Sequence, residues 1–300
     1  MSASTPTLAP PGPAIPVRSL RRRVVDWMGW GACTLAFLLL GAATVWILTT
    51  VVARGMGALS WTIVAHGTTG TGGGLLNAME GTLVLALGGI LLAVPPGLAA
   101  GIYLAEFDNG ILAPGLRFFA DVLVGVPSIV IGYFGYVTMV STLGWGFSVA
   151  AGSISLAIIA LPYIARSSEM AIRQVPRDLR DAARALGAND RRVMLGICLP
   201  VAMPGILTGV LLALAIAVGE TAPLLYTAGW SNFLWTGHLT HEPIGYLTYA
   251  IWAFITEPFA SAHALAYAAA FFVTLFVLLI SVASRLLFDE NVSLRRRLKG

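Results

Sequence analysis

Long apolar stretches recur along the chain and are separated by short polar segments. A helix needs about 20 apolar residues to cross the hydrocarbon core of a membrane, and windows of that length predict six spans. The predicted spans are residues 29–53, 79–104, 118–140, 147–168, 198–222 and 264–288. The first follows Arg21–Arg23, but its apolar run is too long for a signal peptide and no small-residue cleavage site closes it. We therefore interpret it as a retained helix.

The composition agrees with this pattern. The 300-residue chain is 57% hydrophobic and only 11% charged, and its mean hydropathy is +0.84. A globular protein that faces water on all sides needs more polar surface than this charge can supply. The sequence therefore predicts an all-α integral membrane protein.

Basic residues predict its orientation. If the N-terminus lies in the cytoplasm, six spans place every Lys and Arg except Arg54 on the cytoplasmic side. The predicted external segment, residues 223–263, has no Lys or Arg. Its apolar stretch from Pro243 to Pro258 is too short for a seventh span, and its aromatic residues favour an interfacial or re-entrant element. We expect both termini to be cytoplasmic.

These features divide the chain into four parts. They are a disordered cytoplasmic tail rich in Pro, Ser and Ala (1–24), the first helix with an external linker (25–75), a transmembrane domain of five helices (76–288) and a basic cytoplasmic tail (289–300). The linker contains GTTGTGGG, residues 67–74, which we expect to be flexible. The transmembrane domain includes a cytoplasmic loop at about 173–197.

This cytoplasmic loop concentrates charge, and its sequence VPRDLRDAARALGAND has the pattern of a helix. Pro176 suits the first helical position, and Gly187 suits a left-handed cap at the C-terminal end. Asn189 or Asp190 suits the N-cap of a second helix that leads to the fifth span. The pattern predicts two short helices that meet at a glycine corner.

One face of the first predicted helix carries small and aliphatic residues. It consists of Leu179, Ala182, Ala183 and Leu186. Helices that lie on anionic lipid favour bulky apolar residues, whereas small residues let the backbone of another protein approach closely. We expect this face to dock on a cytoplasmic partner rather than on lipid.

The same loop resembles the EAA loop of ABC importer permeases, whose pattern is Glu-Ala-Ala, three residues, Gly, nine residues, Ile, one residue, Leu-Pro. The matching positions are Asp181, Ala182, Ala183, Gly187, Ile197, Leu199 and Pro200, with Asp in place of Glu. The resemblance implies the type I (MetI-like) permease fold. It also implies that this helix, with Leu186, sits in a groove of a separate ATPase subunit and transmits its closure to the spans.

Two further stretches resemble hallmark segments of the PstA-type phosphate permeases. They are GVPSIVIG, residues 125–132, and GETAPLLYTAG, residues 219–229. The resemblance implies a translocation pathway that includes Pro127, Ser128, Glu220 and Thr221. A carboxylate is costly in lipid, so Glu220 should face the bundle interior or the external boundary. A boundary carboxylate in water stays open as the alternative.

The chain departs from the PstA pattern at Ile216. These permeases commonly carry an arginine four residues before the glutamate, so the guanidinium that would attract phosphate is absent from this subunit. Either a partner permease supplies the positive charge, or backbone and hydroxyl donors bind the anion.

The resemblance implies a permease subunit of an ATP-driven importer that moves inorganic phosphate across the bacterial cytoplasmic membrane. The implied partners are a second, PstC-like permease, two PstB-like ATPase subunits, an external PstS-like binding protein and membrane lipid, with no nucleic acid and no cofactor. Transport of another oxyanion, such as sulfate, molybdate or phosphonate, stays open. An intramembrane enzyme or a stand-alone channel is the less favoured alternative.

The residue inventory predicts that ATP is bound elsewhere. The only lysine is Lys299, so the chain has no phosphate-binding loop of the G-x-x-x-x-G-K-[ST] type. The four histidines fall in predicted external segments and lack the H-E-x-x-H arrangement, and we predict no metal site and no catalytic residue. Cys33 and Cys198 lie far apart, and we expect buried thiols rather than a disulfide.

Overall fold

The computed structural model describes residues 20–107 and 110–297. Packing of the backbone divides the chain into two compact units, one up to Thr50 and one from Val51 onward. Most of the predicted disordered tail, residues 1–19, lies outside the described residues, but the first helix already begins at Leu20, inside that predicted tail. The end of the predicted basic tail, residues 298–300, also lies outside them.

Within the described ranges the chain folds almost entirely into α-helices. The helices are α1 Leu20–Ala58, α2 Trp61–Ala65, α3 Leu76–Glu106, α4 Ala113–Gly125, α5 Ser128–Gly135, α6 Val149–Arg173, α7 Arg177–Ala185, α8 Asp190–Val193, α9 Leu199–Gly219, α10 Ala222–Thr227, α11 Leu247–Phe254 and α12 Ala260–Arg297. Two π-helical segments, Tyr136–Thr142 and Met194–Cys198, follow α5 and α8.

Five helical stretches of the described chain are long and apolar enough to cross a membrane. They are Arg23–Ala58, Leu76–Glu106, Val149–Arg173, Asp190–Gly219 and Ala260–Leu286. Each coincides with one of the predicted spans. A multi-pass membrane protein follows from their number and length.

The third predicted span differs from expectation. Instead of one helix over residues 118–140, α4 and the stretch Ser128–Thr142 meet at an angle of 98°. The break falls at Val126 and Pro127, because proline lacks an amide donor and disfavours a helical conformation in the residue before it. The bent pair makes a sixth span only if both halves belong to one crossing.

Helices α3 and α6 form the most extensive helix pair of the second unit. Glycines on α3 allow this close approach, since a Cβ atom at Gly97 would lie 2.9 Å from Cγ2 of Ile164 and one at Gly101 would lie 2.5 Å from Cβ of Ser168. Small residues at helix interfaces play this part in membranes, where packing replaces the hydrophobic effect.

Residues 67–74, which were predicted to be a flexible external linker, form a hairpin instead. Thr68–Thr69 (β1) pairs with Gly72–Gly73 (β2) in an antiparallel hairpin. Asn77, which is 1% exposed at the start of α3, accepts hydrogen bonds from the Thr68 amide and hydroxyl at 3.0 Å each. Its amide group donates to the Ser231 carbonyl at 2.8 Å. One buried side chain thus ties the glycine-rich turn to the later external segment.

The stretch from Pro243 to Pro258 contains α11, whose eight residues are too short to cross a membrane, as predicted. It packs against α12 and α3, and its buried residues include Leu247, Ala250 and Phe254. Trp230 stacks on Tyr249 with ring centroids 4.7 Å apart. The external segment is therefore folded against the protein itself.

The two cysteines are both free thiols, but only one is buried. Cys198 is fully buried at the base of α9, as expected, whereas Cys33 on α1 is exposed. The expectation for Cys33 was wrong because an apolar side chain of a membrane helix can face lipid as favourably as protein.

Candidate functional sites at the coupling loop and Glu220

The first helix of the EAA-like loop has the predicted C-terminal end and begins one residue later than predicted. Pro176 lies one position before α7 rather than at its first residue, and α7 ends at Ala185. Gly187 then adopts φ +85°, the left-handed conformation that its sequence position predicted. The Gly187 amide donates to the Arg184 carbonyl at 2.9 Å, and the Ala188 amide donates to Ala183 at 3.1 Å. These bonds satisfy carbonyls that the helix end leaves unpaired.

The second predicted helix is not a separate short helix. Oδ1 of Asn189 accepts from the Arg192 amide at 2.9 Å and caps α8, as predicted. However, α8 continues through Met194–Cys198 into α9, so that Asp190–Gly219 is a single helical stretch. The glycine corner therefore joins α7 directly to the base of a membrane span, near the exposed Pro200.

The predicted docking face of α7 is divided between two surroundings. Ala183 is 6% exposed and packs in a cluster of this chain that includes Ile172 and Val193, which corrects the expectation that it admits a partner's backbone. Leu199 packs against the same cluster. Leu186, in contrast, is 89% exposed. We term the exposed residues the coupling corner: Asp181, Ala182, Leu186 and Gly187.

Arginines fix the position of α7. Nη1 of Arg184 lies 3.5 Å from the Asp181 carboxylate, and Nη2 lies 3.2 Å from that of Asp190 across the corner. Arg180, one turn earlier, donates to Glu106 at the end of α3 at 2.5 Å. The spacing of Arg184 and Asp181 is a recognisable helix pair, whereas nothing local in the sequence connects Arg180 with Glu106.

A second ion-pair cluster lies near the C-terminal end of α6. The Glu169 side chain is only 8% exposed and lies 3.1 Å from Arg117, 3.5 Å from Arg166 and 3.0 Å from Arg173. Arg166 also pairs with Asp121 on α4. Nothing local in the sequence indicates this role of Glu169 in joining α4 to α6.

The structure brings two of the predicted pathway residues together. Glu220 follows the last residue of α9 in an extended conformation, and Ser128 is the first residue of α5. Helices α5 and α10 pack so closely that a Cβ atom at Gly132 would lie 2.5 Å from Cα of Pro223. As a result, the Ser128 hydroxyl lies near the half-buried Glu220 carboxylate, close enough to interact with it.

The surroundings of Glu220 offer hydroxyl groups. The Thr248 hydroxyl donates to the Glu220 carbonyl at 2.8 Å, and Thr221 is half-buried beside it, whereas Pro127 is exposed. Ile216 is half-buried on α9, one turn before Glu220. The sequence has no Lys or Arg between Arg192 and Arg285, so α9, α10 and α11 supply no cation to this site.

A carboxylate holds the loop after Trp235. Glu242 accepts hydrogen bonds from the Thr236 amide at 2.9 Å and from its hydroxyl at 2.7 Å. Burial raises the pKa of Glu242, but the hydrogen bonds from Thr236 and His238 outweigh it and lower that pKa below its ordinary value. Among the residues that the structure describes, no three His, Cys, Asp or Glu side chains are grouped to hold a metal ion.

Residues 97–290 match the family described as binding-protein-dependent transport system inner membrane component, and this segment is more than half of the chain. The chain belongs to this permease family. The permease is 46% identical to the phosphate transport system permease protein PstA 2 of Mycobacterium bovis over 286 residues. The matched region covers 95% of this chain and 94% of PstA 2. The permease is 41% identical over 250 residues to PstA of Haemophilus influenzae, covering 82% and 87%. The predicted membership of the PstA group is confirmed.

Solved structures confirm the fold. The permease matches a chain of the inward-facing MetNI methionine ABC transporter with a TM-score of 0.57 and 20% identity, covering 76% of this chain and 96% of that one. It matches an amino acid ABC transporter solved with histidines with a TM-score of 0.52 and 20% identity, covering 70% and 92%. The permease thus has the predicted MetI-like ABC importer fold and is a component of a transporter with further subunits.

Proposed function

We propose that this permease carries inorganic phosphate across the bacterial cytoplasmic membrane as one subunit of an ATP-driven importer. The observation that carries the proposal is the 46% identity to PstA 2, a phosphate transport permease, over 95% of the chain. Similarity over almost the whole chain argues for a common substrate more strongly than one shared motif does. Sulfate, molybdate and phosphonate are the competing substrates.

The proposed partners are a PstC-like permease, two PstB-like ATPase subunits and a PstS-like external binding protein. ATP is hydrolysed by the PstB-like subunits, because this chain has no phosphate-binding loop. The coupling corner supports docking of an ATPase, since Leu186 is 89% exposed on a backbone that a left-handed glycine holds in place. The buried Ala183 and the partly buried Leu199 connect the docked corner to α9.

We further propose that Glu220, Ser128, Thr221 and Pro127 lie on the translocation pathway. A bare carboxylate at contact distance repels an oxyanion by about 1 to 4 kcal/mol, depending on the local dielectric. Since α9 to α11 carry no Lys or Arg, we infer that a cation of the partner permease pairs with Glu220 across the subunit boundary. The Ser128 hydroxyl orients the carboxylate for that pair.

The test is radiolabelled phosphate uptake in a bacterial strain that lacks its own phosphate importers and expresses this permease with its proposed partners. Uptake should require ATPase subunits with an intact phosphate-binding loop. Excess unlabelled phosphate should suppress uptake, and excess sulfate, molybdate or phosphonate should not. Equal suppression by another oxyanion would contradict phosphate as the substrate.

Purification separates the transporter from the stand-alone alternatives. A tagged permease extracted in detergent should retain its ATPase subunits, and the Leu186→Asp variant should release them because it places a charge in an apolar contact. A permease that transports phosphate without any bound ATPase would be a channel instead.

A further inference from the structure

Two arginines one helical turn apart connect α7 to different parts of the molecule. Arg184 reaches Asp190 at the start of the helical stretch that becomes α9. Arg180 contacts two other helices instead: Nη1 donates to Glu106 at 2.5 Å and Nη2 donates to the Ile172 carbonyl at 2.9 Å. Glu106 is the last residue of α3, and Ile172 lies in the last turn of α6.

We infer that Arg180 is a positioning residue that transmits displacement of α7 to the α3–α6 pair. The inference rests on the proposed function, because it presupposes an ATPase that moves the coupling corner. Under this inference, the ion pair of Arg184 with Asp190 connects α7 to α9 separately.

The contacts of Arg180 suit this role. Its side chain is 15% exposed and that of Glu106 is 23% exposed, so water screens the pair far less than it screens a surface ion pair. The guanidinium is planar and rigid, and its two terminal nitrogens hold groups on two different helices. A movement of α7 therefore pulls α3 and α6 together rather than one at a time.

The α3–α6 pair, to which Arg180 connects α7, is packed tightly. The close contacts of Gly97 with Ile164 and of Gly101 with Ser168 leave no room for one helix to slide on the other. Near the cytoplasmic ends, Arg173 of α6 also donates to the Leu104 carbonyl of α3 at 3.0 Å. Displacement at Glu106 is thus passed along both helices toward the membrane.

The alternative is that Ala183 and Arg184 alone transmit the motion, through α9. Ala183 packs in the cluster with Val193 and Met194, which lie at the base of that span. Under this alternative, loss of the Arg180 contacts leaves transport intact. The two hypotheses therefore predict opposite results for variants at position 180.

The experiment uses the complete importer in proteoliposomes and compares wild type, Arg180→Gln, Glu106→Gln and the control Arg177→Gln. Arg177 is an exposed arginine on the same helix. Three quantities are measured: ATPase subunits retained on purification, basal ATP hydrolysis, and phosphate uptake with hydrolysis stimulated by the loaded binding protein.

Arg180→Gln and Glu106→Gln should retain the ATPase subunits and basal hydrolysis, while uptake and stimulated hydrolysis fall about tenfold, the scale expected for a lost charge-assisted contact. Arg177→Gln should behave as wild type. Arg180→Lys should restore only part of the uptake, because one ammonium group does not hold both helices. The exchanged pair Arg180→Glu with Glu106→Arg should recover uptake above either single charge reversal, which a merely structural role of each residue does not explain.

Normal uptake by Arg180→Gln would overturn the inference, as would loss of the ATPase subunits from that variant, since Arg180 would then act in docking. An exchanged pair no better than its single variants would also overturn it. If the wild-type complex takes up no phosphate, the proposed function fails as well. If wild type and Arg180→Gln take up phosphate equally, the inference fails alone.

Discussion

The predicted cytoplasmic loop, residues 173–197, and the predicted external segment, residues 223–263, are held by different interactions. The loop after α6 is fixed by arginine–carboxylate pairs such as Arg180 with Glu106, and it leaves Leu186 exposed. The external segment, residues 223–263, has no Lys or Arg. Aromatic stacking and backbone contact hold it, and a Cβ atom at Gly81 of α3 would overlap the Gly245 carbonyl.

This difference separates a part that can move from a part that keeps its shape. The loop is held through a few ion pairs at the ends of long side chains, so α7 can shift while a pair such as Arg180 with Glu106 stays joined. Contact of backbone with backbone tolerates almost no displacement, because packed interiors resist compression. We expect substitutions in the cytoplasmic loop to change coupling, and substitutions in the external segment to change stability.

The largest effect should come from Gly187→Val. A β-branched residue fits φ +85° poorly, and a strained backbone costs about 1 to 3 kcal/mol. If the strain opposes the docked corner, this cost corresponds to roughly a 5- to 150-fold loss of transport. Phosphate uptake should fall accordingly, while membrane insertion and protein level, followed by immunoblotting, stay normal.

Gly187→Asn is the matched control. A Cβ atom at Gly187 meets nothing within 4 Å, and asparagine tolerates the left-handed conformation. The asparagine variant should keep most of its uptake. If valine and asparagine impair uptake equally, the glycine would be needed for contact with the ATPase rather than for its backbone conformation.

The next effect should come from Glu220→Gln on the proposed pathway. The variant leaves the partner permease's cation without its counter-charge, and an unsatisfied charged group costs about 1 to 3 kcal/mol or more, so uptake should fall about tenfold. Uptake and ATPase activity of the assembled complex are the measurements. Unaltered uptake would contradict the proposed pairing.

The Ile216→Arg variant tests whether this face of α9 lies on the same polar path as Glu220. Ile216 is half-buried one turn before Glu220, so an arginine there could approach the same carboxylate. We expect the complex to assemble and to transport. A variant that inserts poorly into the membrane would indicate that this face of α9 meets lipid.

Gly81→Ala should affect stability rather than coupling. Its methyl group would overlap the Gly245 carbonyl, and overpacking of this kind costs about 1 to 3 kcal/mol. Thermal unfolding of the purified complex should shift to lower temperature, with a normal ratio of phosphate moved to ATP hydrolysed. The control is Gly115→Ala on α4, where an added Cβ meets nothing within 4 Å.

Local sequence signals predicted the features that a few neighbouring residues determine. Apolar runs predicted the spans, and a glycine that follows an amphipathic segment predicted the left-handed cap at Gly187. The cap of α8 by Asn189 belongs to the same class. Each depends on residues within about one helical turn or one apolar window.

Features that join distant parts of the chain were missed. Neither the pairing of Arg180 with Glu106 nor the burial of Glu169 among arginines has a local pattern, because each depends on which helices become neighbours. The hairpin at residues 67–74 is ordered by Asn77, whose amide is bonded to Ser231 far along the sequence. The 98° bend at Pro127 was also missed, although the proline is a local signal for a break in the helix.

The smallest effect on transport should come from two cysteine variants that test the predicted orientation of both regions. Phe233 is 81% exposed in the external segment, and Arg177 is exposed in the cytoplasmic loop outside the coupling corner. In a Cys33→Ser background, which removes the exposed native thiol, Phe233→Cys should react in intact cells with a membrane-impermeant thiol reagent. Arg177→Cys should react only after the membrane is permeabilised, because all Lys and Arg residues except Arg54 lie on the cytoplasmic side in the six-span topology. Phosphate uptake should stay near that of the parent in both variants, so that labelling reports a functional protein. Labelling of Arg177→Cys in intact cells, with Phe233→Cys protected, would invert the topology and place the arginine-rich loop where no ATPase can reach it.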